Sequence, residues 1–188
     1  MLGLEQVRRY RWADEDRDLA WTLGVVAGRS VDEVVAAYGG GAGQVGERLV
    51  FAGAQVGAGE LGAVSLVQVL EVGEYVVAVE NNGWRGKDVG VARRASAAGG
   101  GFISVFWNLN ANYKVTQAAD GELLASFDPL TVQHPPPPGE VYPPWITEVV
   151  FTDTGLHAAL LAVVEHQTGL VIDRGWLTTP LPTYRVPA

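Results

Sequence analysis

The sequence contains no cysteine. Disulfide bonds, a thiolate nucleophile and a zinc-thiolate site are therefore excluded, and a cytoplasmic location is the default expectation. The longest apolar runs, such as residues 158–164, fall far short of the ~20 residues that a membrane-spanning helix requires. The acidic start of the chain also lacks the pattern of a secretion signal, so we expect no membrane association.

Lysine is almost absent as well: Lys87 and Lys114 are the only two among 188 residues. Thirteen Lys and Arg residues stand against 21 Asp and Glu residues, giving a net charge of −8. Nucleic-acid binding depends on clustered basic side chains that neutralise phosphates, so we expect none here. With 48% hydrophobic and 18% charged residues, the composition is typical of a soluble globular chain.

Three segments carry helix signals. Ser30 and Glu33 match a capping box, which predicts a short helix over residues 31–38. Residues 88–98 are predicted to form a second helix, closed by three consecutive glycines. Apolar residues recur at helical spacing from Leu156 onward and predict a third helix that covers one face of a sheet.

Most other segments have the character of strands. Residues 49–80 are rich in β-branched side chains, and two or three strands are expected there. Asp120-Gly121 separates two strand-like runs and predicts an antiparallel hairpin. We therefore expect an α+β fold, mainly an antiparallel sheet with two or three helices packed on it, in a single domain over residues 1–188. The oligomeric state stays open, although an exposed strand edge would permit a dimer.

Three further segments match neither pattern. Residues 39–46 form a glycine-rich loop that we expect to be flexible. Residues 134–144 form a proline-rich arm, which cannot be helix or central strand because proline lacks an amide donor, and we expect it on the surface. Residues 178–188 are expected to be a C-terminal tail.

Two glycine motifs match the dinucleotide-binding fingerprint. The motif at residues 41–46 follows a helix instead of a strand, so we discard it. Gly57–Gly62 follows a strand-like segment, and Glu80 lies at a spacing suited to a ribose contact. The segment after this motif is rich in valine and favours a strand, however, so a hairpin with glycine turns is preferred and dinucleotide binding is the less favoured alternative. We expect no cofactor.

Other catalytic or metal-binding patterns are weak. His134, His157 and His166 are scattered along the chain and do not have the spacing of two ligands on one helix face, so no metal site is expected. Ser104 lies in the middle of a predicted strand, where no sharp turn exposes a nucleophile.

Two polar and aromatic clusters remain as the candidate site. E-N-N-G-W, residues 80–84, ends one predicted strand, and F-W-N-L-N-A-N, residues 106–112, lies at or just past the end of another. The candidate binding residues are Glu80, Asn81, Trp84, Trp107, Asn108, Asn110, Asn112 and Asp128.

Two interpretations of the asparagines are open. In the first, they bond the local backbone in a bend, with Trp107 packed inward. In the second, Asn108, Asn110 and Asn112 line a pocket for a sugar, peptide or amide beside Trp84. Glu80 would be the charged group of such a pocket, and burial would raise its pKa enough for acid or base chemistry.

The same motifs carry a family resemblance. V-A-V-E-N-N-G-W-R-G, I-S-V-F-W-N-L-N-A, L-L-A-S-F-D-P-L and the later A-A-L-L-A-V-V-E-H-Q-T-G-L-V-I-D-R-G-W-L resemble a set of small, mostly actinobacterial proteins known as domain of unknown function 6461. The resemblance covers roughly residues 19–177, and it implies an actinobacterial source and a hairpin over residues 61–80. It implies no activity, so no catalytic residue can be carried over.

We therefore expect a non-catalytic binding or protein-interaction module, similar in role to an immunity-type protein. Its partner would be a protein or a small polar ligand. The alternative is a small enzyme or small-molecule-binding protein of specialised metabolism, using a cleft around Glu80 and Asn108. A closed pocket containing Glu80 would favour this alternative, whereas a flat or filled surface there would favour the interaction module.

Overall fold

The computed structural model describes residues 3–15, 20–41, 43–60, 62–152 and 154–188. These residues form helices and strands with the following bounds: α1 Leu4–Arg9, α2 Trp12–Glu15, β1 Trp21–Ala27, α3 Val31–Ala37, β2 Glu47–Leu49, β3 Val64–Val72, β4 Tyr75–Asn81, α4 Val89–Ser96, β5 Gly101–Trp107, β6 Tyr113–Ala119, β7 Glu122–Phe127, α5 Leu156–Thr168 and β8 Leu181–Pro187. Short 3-10 helices occur at Phe51–Gly53, Ala58–Glu60, Arg85–Lys87, Pro144–Glu148 and Arg174–Leu177.

The strands form one sheet in the order β2-β8-β3-β4-β1-β5-β6-β7. Every pair of neighbouring strands in it is antiparallel. The expected α+β fold with a mainly antiparallel sheet is thus confirmed, and helices of seven residues or more form in the three segments where they were predicted.

The two faces of the sheet carry different helices. Alternate side chains, such as Leu23 and Val25 on β1, pack with the buried α5 in one core. The opposite side chains, such as Val26, pack with α3 and α4 in a second core. This division follows from the period of two in a strand, which sends successive side chains to opposite faces.

Local capping explains where the helices begin. Ser30 accepts a hydrogen bond from the Glu33 amide at 3.4 Å, and the Glu33 carboxylate accepts one from the Ser30 amide at 2.8 Å, so the predicted capping box is present. Asp88 caps α4 by accepting from the Val91 amide at 3.1 Å. These bonds satisfy amides that have no partner within the first helical turn.

The predicted hairpins are also present. β3 and β4 pair around Gly73, and Leu61, where the expected hairpin began, lies outside the described residues. β6 and β7 pair around Asp120 and Gly121, both of which have positive φ, as a tight hairpin turn requires. The segment after Gly62 is strand β3, not the helix that a dinucleotide site needs.

The expectation of a C-terminal tail was wrong. Residues 181–187 form β8, which lies inside the sheet between β2 and β3. Pro182 and Pro187 concealed this strand, since proline in a sequence argues against a central strand. Most residues of the proline-rich arm are exposed, as expected; the arm contains a turn at residues 138–139, and Val141 pairs with Ser126 at the end of β7.

β8 generates a prediction about stability. Removing residues 181–188 would leave β2 and β3 without the strand that pairs with both. It would also remove the buried side chains of Tyr184 and Val186 and so expose the core residues that they cover. We expect the shortened protein to lose cooperative thermal unfolding, measured by circular dichroism. Removal of Ala188 alone is the control and should preserve it; a near-native melting temperature for the larger truncation would contradict the role given to β8.

Candidate functional site

The two sequence clusters meet at one end of the sheet. Asn81 at the end of β4 pairs with Trp21 at the start of β1, and Trp21 pairs with Trp107 at the end of β5. The clusters are therefore separated by a single strand. The residues that follow β4, 82–88, form a loop that we call the Trp84 loop.

Glu80 lies beneath this loop and is completely buried. Its Oε2 accepts a hydrogen bond from the Arg85 amide at 2.9 Å, and its Oε1 accepts one from the Gly86 amide at 2.6 Å. Both carboxyl oxygens are thus occupied by backbone of the Trp84 loop. The predicted burial of Glu80 is present, but the surroundings are filled by the protein itself.

Three hydroxyl side chains on neighbouring strands fix the same loop. Thr22 on β1 donates to the Gly83 carbonyl at 2.6 Å, and Ser104 on β5 donates to the Gly86 carbonyl at 2.7 Å. Thr116 on β6 donates to the Lys87 carbonyl at 3.2 Å. We call Thr22, Glu80, Ser104 and Thr116 the polar clamp; all four are buried and project from the face that carries α3 and α4.

Two glycines allow the loop to approach the clamp closely. A Cβ atom on Gly83 would lie 2.6 Å from Glu80 Oε2, and one on Gly86 would lie 2.7 Å from both the Thr22 methyl group and the Tyr38 hydroxyl. Both distances are too short for a real side chain. The spacing E-x-x-G-x-x-G therefore reflects packing of the loop over a buried carboxyl group.

Burial raises the pKa of Glu80 to about 7, while the Gly86 and Arg85 amides and the Arg85 charge act in the opposite direction. The pKa of buried Tyr38 is also raised, first by burial and then by the nearby Glu80 charge. A rise from 4.5 to about 7 corresponds to roughly 3 kcal/mol favouring the protonated form. Ionisation of Glu80 therefore opposes folding.

Trp84 is carried outward by the clamped loop, and 41% of its side chain is exposed. On one side it borders a cavity of about 290 Å³ together with Asn81, Asn82 and Gln55. Asn81 is itself fixed there, donating to the Phe51 carbonyl at 2.7 Å and accepting from Gln55 at 3.1 Å. The lining of this cavity, as described, contains no charged side chain.

On its other side Trp84 borders a larger depression of about 600 Å³, which we call the lysine cleft. Lys87 and Lys114, the two lysines of the chain, both line it. Asn112 also lies in its wall, so this is where the two sequence clusters contribute to one surface. Glu80 lines neither the cleft nor the smaller cavity.

The asparagines form a turn between β5 and β6, which supports the first of the two interpretations above. Asn108 Oδ1 accepts from the amides of Asn110 and Asn112 at 3.0 and 3.1 Å, and from the Asn112 side chain at 3.2 Å. Asn110 and Asn112 are exposed, and Ala111 has a positive φ. The alternation expected of a strand is therefore absent here.

The last two candidates lie apart from Trp84. Trp107 is buried on the opposite face of the sheet and stacks on His157 with ring centroids 4.5 Å apart. Asp128 follows β7, where it accepts from the Leu130 amide and its own amide donates to Glu140. Trp107 therefore belongs to the core. Asp128 lies close enough to Lys114 for its charge to raise the pKa of that lysine, against the larger effect of burial.

Sequence reasoning missed Thr22, Thr116 and the role of Ser104. Their hydroxyl groups act on a loop far away in sequence, and no local pattern distinguishes them from other strand residues. In the described ranges, no group of three or more His, Asp or Glu side chains is arranged to hold a metal ion. No helix within those ranges is long and apolar enough to cross a membrane.

Residues 5–136 match the model of a family of unknown function, DUF6461, and the chain belongs to that family. The match includes the polar clamp and the Trp84 loop, whereas α5 and β8 lie beyond it. No curated protein and no solved structure matches the chain.

The raised pKa of Glu80 predicts the sign of a pH effect. A carboxyl group whose pKa is higher in the folded state stabilises the fold below its unfolded pKa, near 4.5, and this contribution is lost as pH rises through about 7. We expect the free energy of unfolding of the native protein, relative to Glu80→Gln, to fall between pH 5 and pH 8. The measurement is urea unfolding at several pH values.

Glu74→Gln is the control, since Glu74 is exposed in the β3–β4 turn. It should leave the pH profile of the native protein unchanged. A native-minus-Glu80→Gln difference that stays constant with pH would show that Glu80 does not titrate in this range.

The turn formed by the asparagines gives a second prediction. Asn108→Ala removes an acceptor for three hydrogen bonds, and we expect it to lower stability by about 1–2 kcal/mol. Asn108→Asp keeps an acceptor for the two amides and should lose less, while Asn110→Ala at the exposed position should have little effect. Equal stabilities for Asn108→Ala and Asn110→Ala in urea unfolding would refute this role.

Proposed function

We propose that the protein is a non-catalytic binding module that holds a partner protein on the surface around Trp84. The observation that carries this proposal is a half-exposed tryptophan on a loop whose backbone is bonded to four buried side chains. Tryptophan is enriched among residues that dominate binding energy at protein interfaces. A loop that is already fixed also loses little conformational entropy when a partner binds.

The environment of Glu80 supports a binding role over catalysis. A general acid or base must reach the proton that it transfers, within hydrogen-bond distance or through one water. Glu80 is fully buried, and both of its oxygens accept bonds from the Trp84 loop. This is the filled arrangement that favours an interaction module.

A second candidate function is a small-molecule-binding protein. The lysine cleft, at about 600 Å³, lies within the range of about 300–1,000 Å³ typical of ligand sites. In this version Asn112 and Trp84 would contact the ligand, while Glu80 and Asn108 would hold the surrounding loops. We prefer the protein partner because Trp84 projects between two depressions and is not enclosed by either.

We further propose a cytoplasmic location, on the ground that the chain contains no cysteine. A partner present in the same compartment, as for an immunity-type protein, fits this location.

The proposal predicts the effect of removing the tryptophan. With the purified protein as bait in a lysate of its own host, Trp84→Ala should retain less than about a tenth of the partner that the native protein retains. Val150→Ala, at a residue that is 84% exposed on another loop, is the matched control and should retain all of it. Quantitative mass spectrometry measures the retained protein, and a melting temperature for each variant checks folding.

Two results would contradict the proposal. One is a partner retained equally by the native protein and by Trp84→Ala. The other is repeated failure of the native protein to retain any protein above a no-bait control.

A further inference from the structure

We propose that the lysine cleft receives a carboxylate side chain from an acidic, extended segment of the partner protein, with Trp84 packing against the same segment. This inference rests on the proposed function, because the cleft and the proposed binding surface share Trp84. Beyond the proposed function, it specifies that the partner segment is acidic and that it runs from Trp84 into the lysine cleft.

The charge of the cleft is the first argument. In a chain with a net charge of −8, both lysines line this one depression. Arg85 also lines the cleft, but its guanidinium donates to the Tyr38 carbonyl at 3.2 Å, and Asp88 is the only carboxylate among the described residues of the lining. Asp88 is already engaged as the cap of α4, where it accepts from the Val91 amide. Lys87 and Lys114 thus place two cationic groups in the lining, and such groups attract and orient acidic side chains, while Glu140 and Asp128 act on Lys114 from outside the lining.

The placement of the lysines is the second argument. Lys87 Nζ lies 4.3 Å from the centroid of the Phe106 ring, and Phe106 is paired with Lys114 in the register of β5 and β6. Burial lowers the pKa of Lys114, and the Lys87 charge acts in the same direction, whereas Glu140 and Asp128 oppose both effects.

Neither lysine takes part in an ion pair with any residue that the structure describes. An incoming carboxylate would therefore gain charge-assisted hydrogen bonds without first breaking existing ones.

The shape of the cleft is the third argument. Phe106, Lys114 and Ser126 line it from the three adjacent strands β5, β6 and β7, and the Trp84 loop lines it from another side. Gly139 of the proline-rich arm borders the other side. Two backbone hydrogen bonds between Ser126 and Val141, at 2.8 and 3.0 Å, hold the arm beside β7. Gly139 thereby brings the proline-rich arm to the edge of the cleft.

The position of Trp84 between two depressions favours an extended segment over a small anion. The cavity of about 290 Å³ on the other side of Trp84 is lined by residues that include Asn81, Asn82 and Gln55. None of the described residues in this lining is charged. A segment that crosses Trp84 would place an acidic side chain in the lysine cleft and an uncharged polar side chain beside Asn81. A small anion would occupy the cleft alone.

The probe is a hexaglutamate peptide, followed by ¹⁹F NMR of protein labelled with 5-fluorotryptophan at its six tryptophans. The spectrum of Trp84→Phe assigns the Trp84 resonance by its absence. We expect hexaglutamate to shift this resonance saturably, and hexaglutamine to leave it unchanged. Affinity should fall with added salt and should be about tenfold or more weaker in the double variant Lys87→Ala/Lys114→Ala.

Arg8→Ala/Arg93→Ala is the matched control, because it removes two positive charges from exposed positions outside the cleft. It should bind hexaglutamate as the native protein does. Equal loss in this control would indicate a general charge effect and overturn the proposal, as would no shift of Trp84 at millimolar peptide. Glutarate, a small dicarboxylate, is titrated in parallel, and binding as tight as that of hexaglutamate would assign the cleft to small anions instead.

Capture of the host partner distinguishes failure of this inference from failure of the proposed function. If Trp84→Ala loses the partner while Lys87→Ala/Lys114→Ala keeps it, the binding module stands and the acidic segment is refuted. If Trp84→Ala keeps the partner, the proposed function itself is refuted. Loss of the partner in both variants, with retention in Arg8→Ala/Arg93→Ala, supports both proposals.

Discussion

The attachment of one loop to four buried polar side chains determines the structure around Trp84. Glu80 accepts hydrogen bonds from two backbone amides of this loop, and the hydroxyls of Thr22, Ser104 and Thr116 donate hydrogen bonds to three of its carbonyls. Buried polar groups are costly unless they are bonded, and here the loop and the sheet satisfy each other. The loop therefore cannot leave the sheet without exposing or orphaning all four side chains.

This arrangement explains why the segment E-N-N-G-W-R-G of this chain joins a carboxyl group, two glycines and a tryptophan. Glu80 supplies the acceptors, Gly83 and Gly86 permit close approach, and Trp84 is what the fixed loop presents outward. Burial of Glu80 opposes its ionisation, which is the cost of placing an acid beneath the loop. Glu80 therefore has a structural role beneath the loop. The chemistry of the exposed surface depends instead on Trp84 and on the lysines beside it.

Local signals in the sequence were sufficient for much of the fold. The capping box at Ser30, the Asp120-Gly121 turn and the helical spacing after Leu156 each depend on neighbours in sequence, and each predicted its element. β8 was missed because prolines obscure it and because its place in the sheet is set by pairing with residues more than a hundred positions earlier.

The candidate site was predictable to a smaller extent. Trp84, Asn81 and Asn112 do border shared depressions, as their position at strand ends indicated. Trp107 belongs to the core on the other face of the sheet, because side chains alternate between the two faces along β5. Asn108 holds the turn after β5 by accepting hydrogen bonds from it. The polar clamp depends on the order and register of the strands, and the meeting of Lys87 and Lys114 in one cleft depends on how the Trp84 loop lies over them. A single sequence reveals neither.

The hydrogen bonds of the polar clamp should hold the Trp84 loop as rigidly as the strands beneath it. The most direct measurement is ¹⁵N relaxation of the backbone amides from Gly83 to Lys87, compared with those of β4. We expect order parameters of about 0.85 for both sets, the value typical of rigid backbone. Values below about 0.6 in the loop would contradict it, since a flexible loop would not present Trp84 as a fixed binding surface.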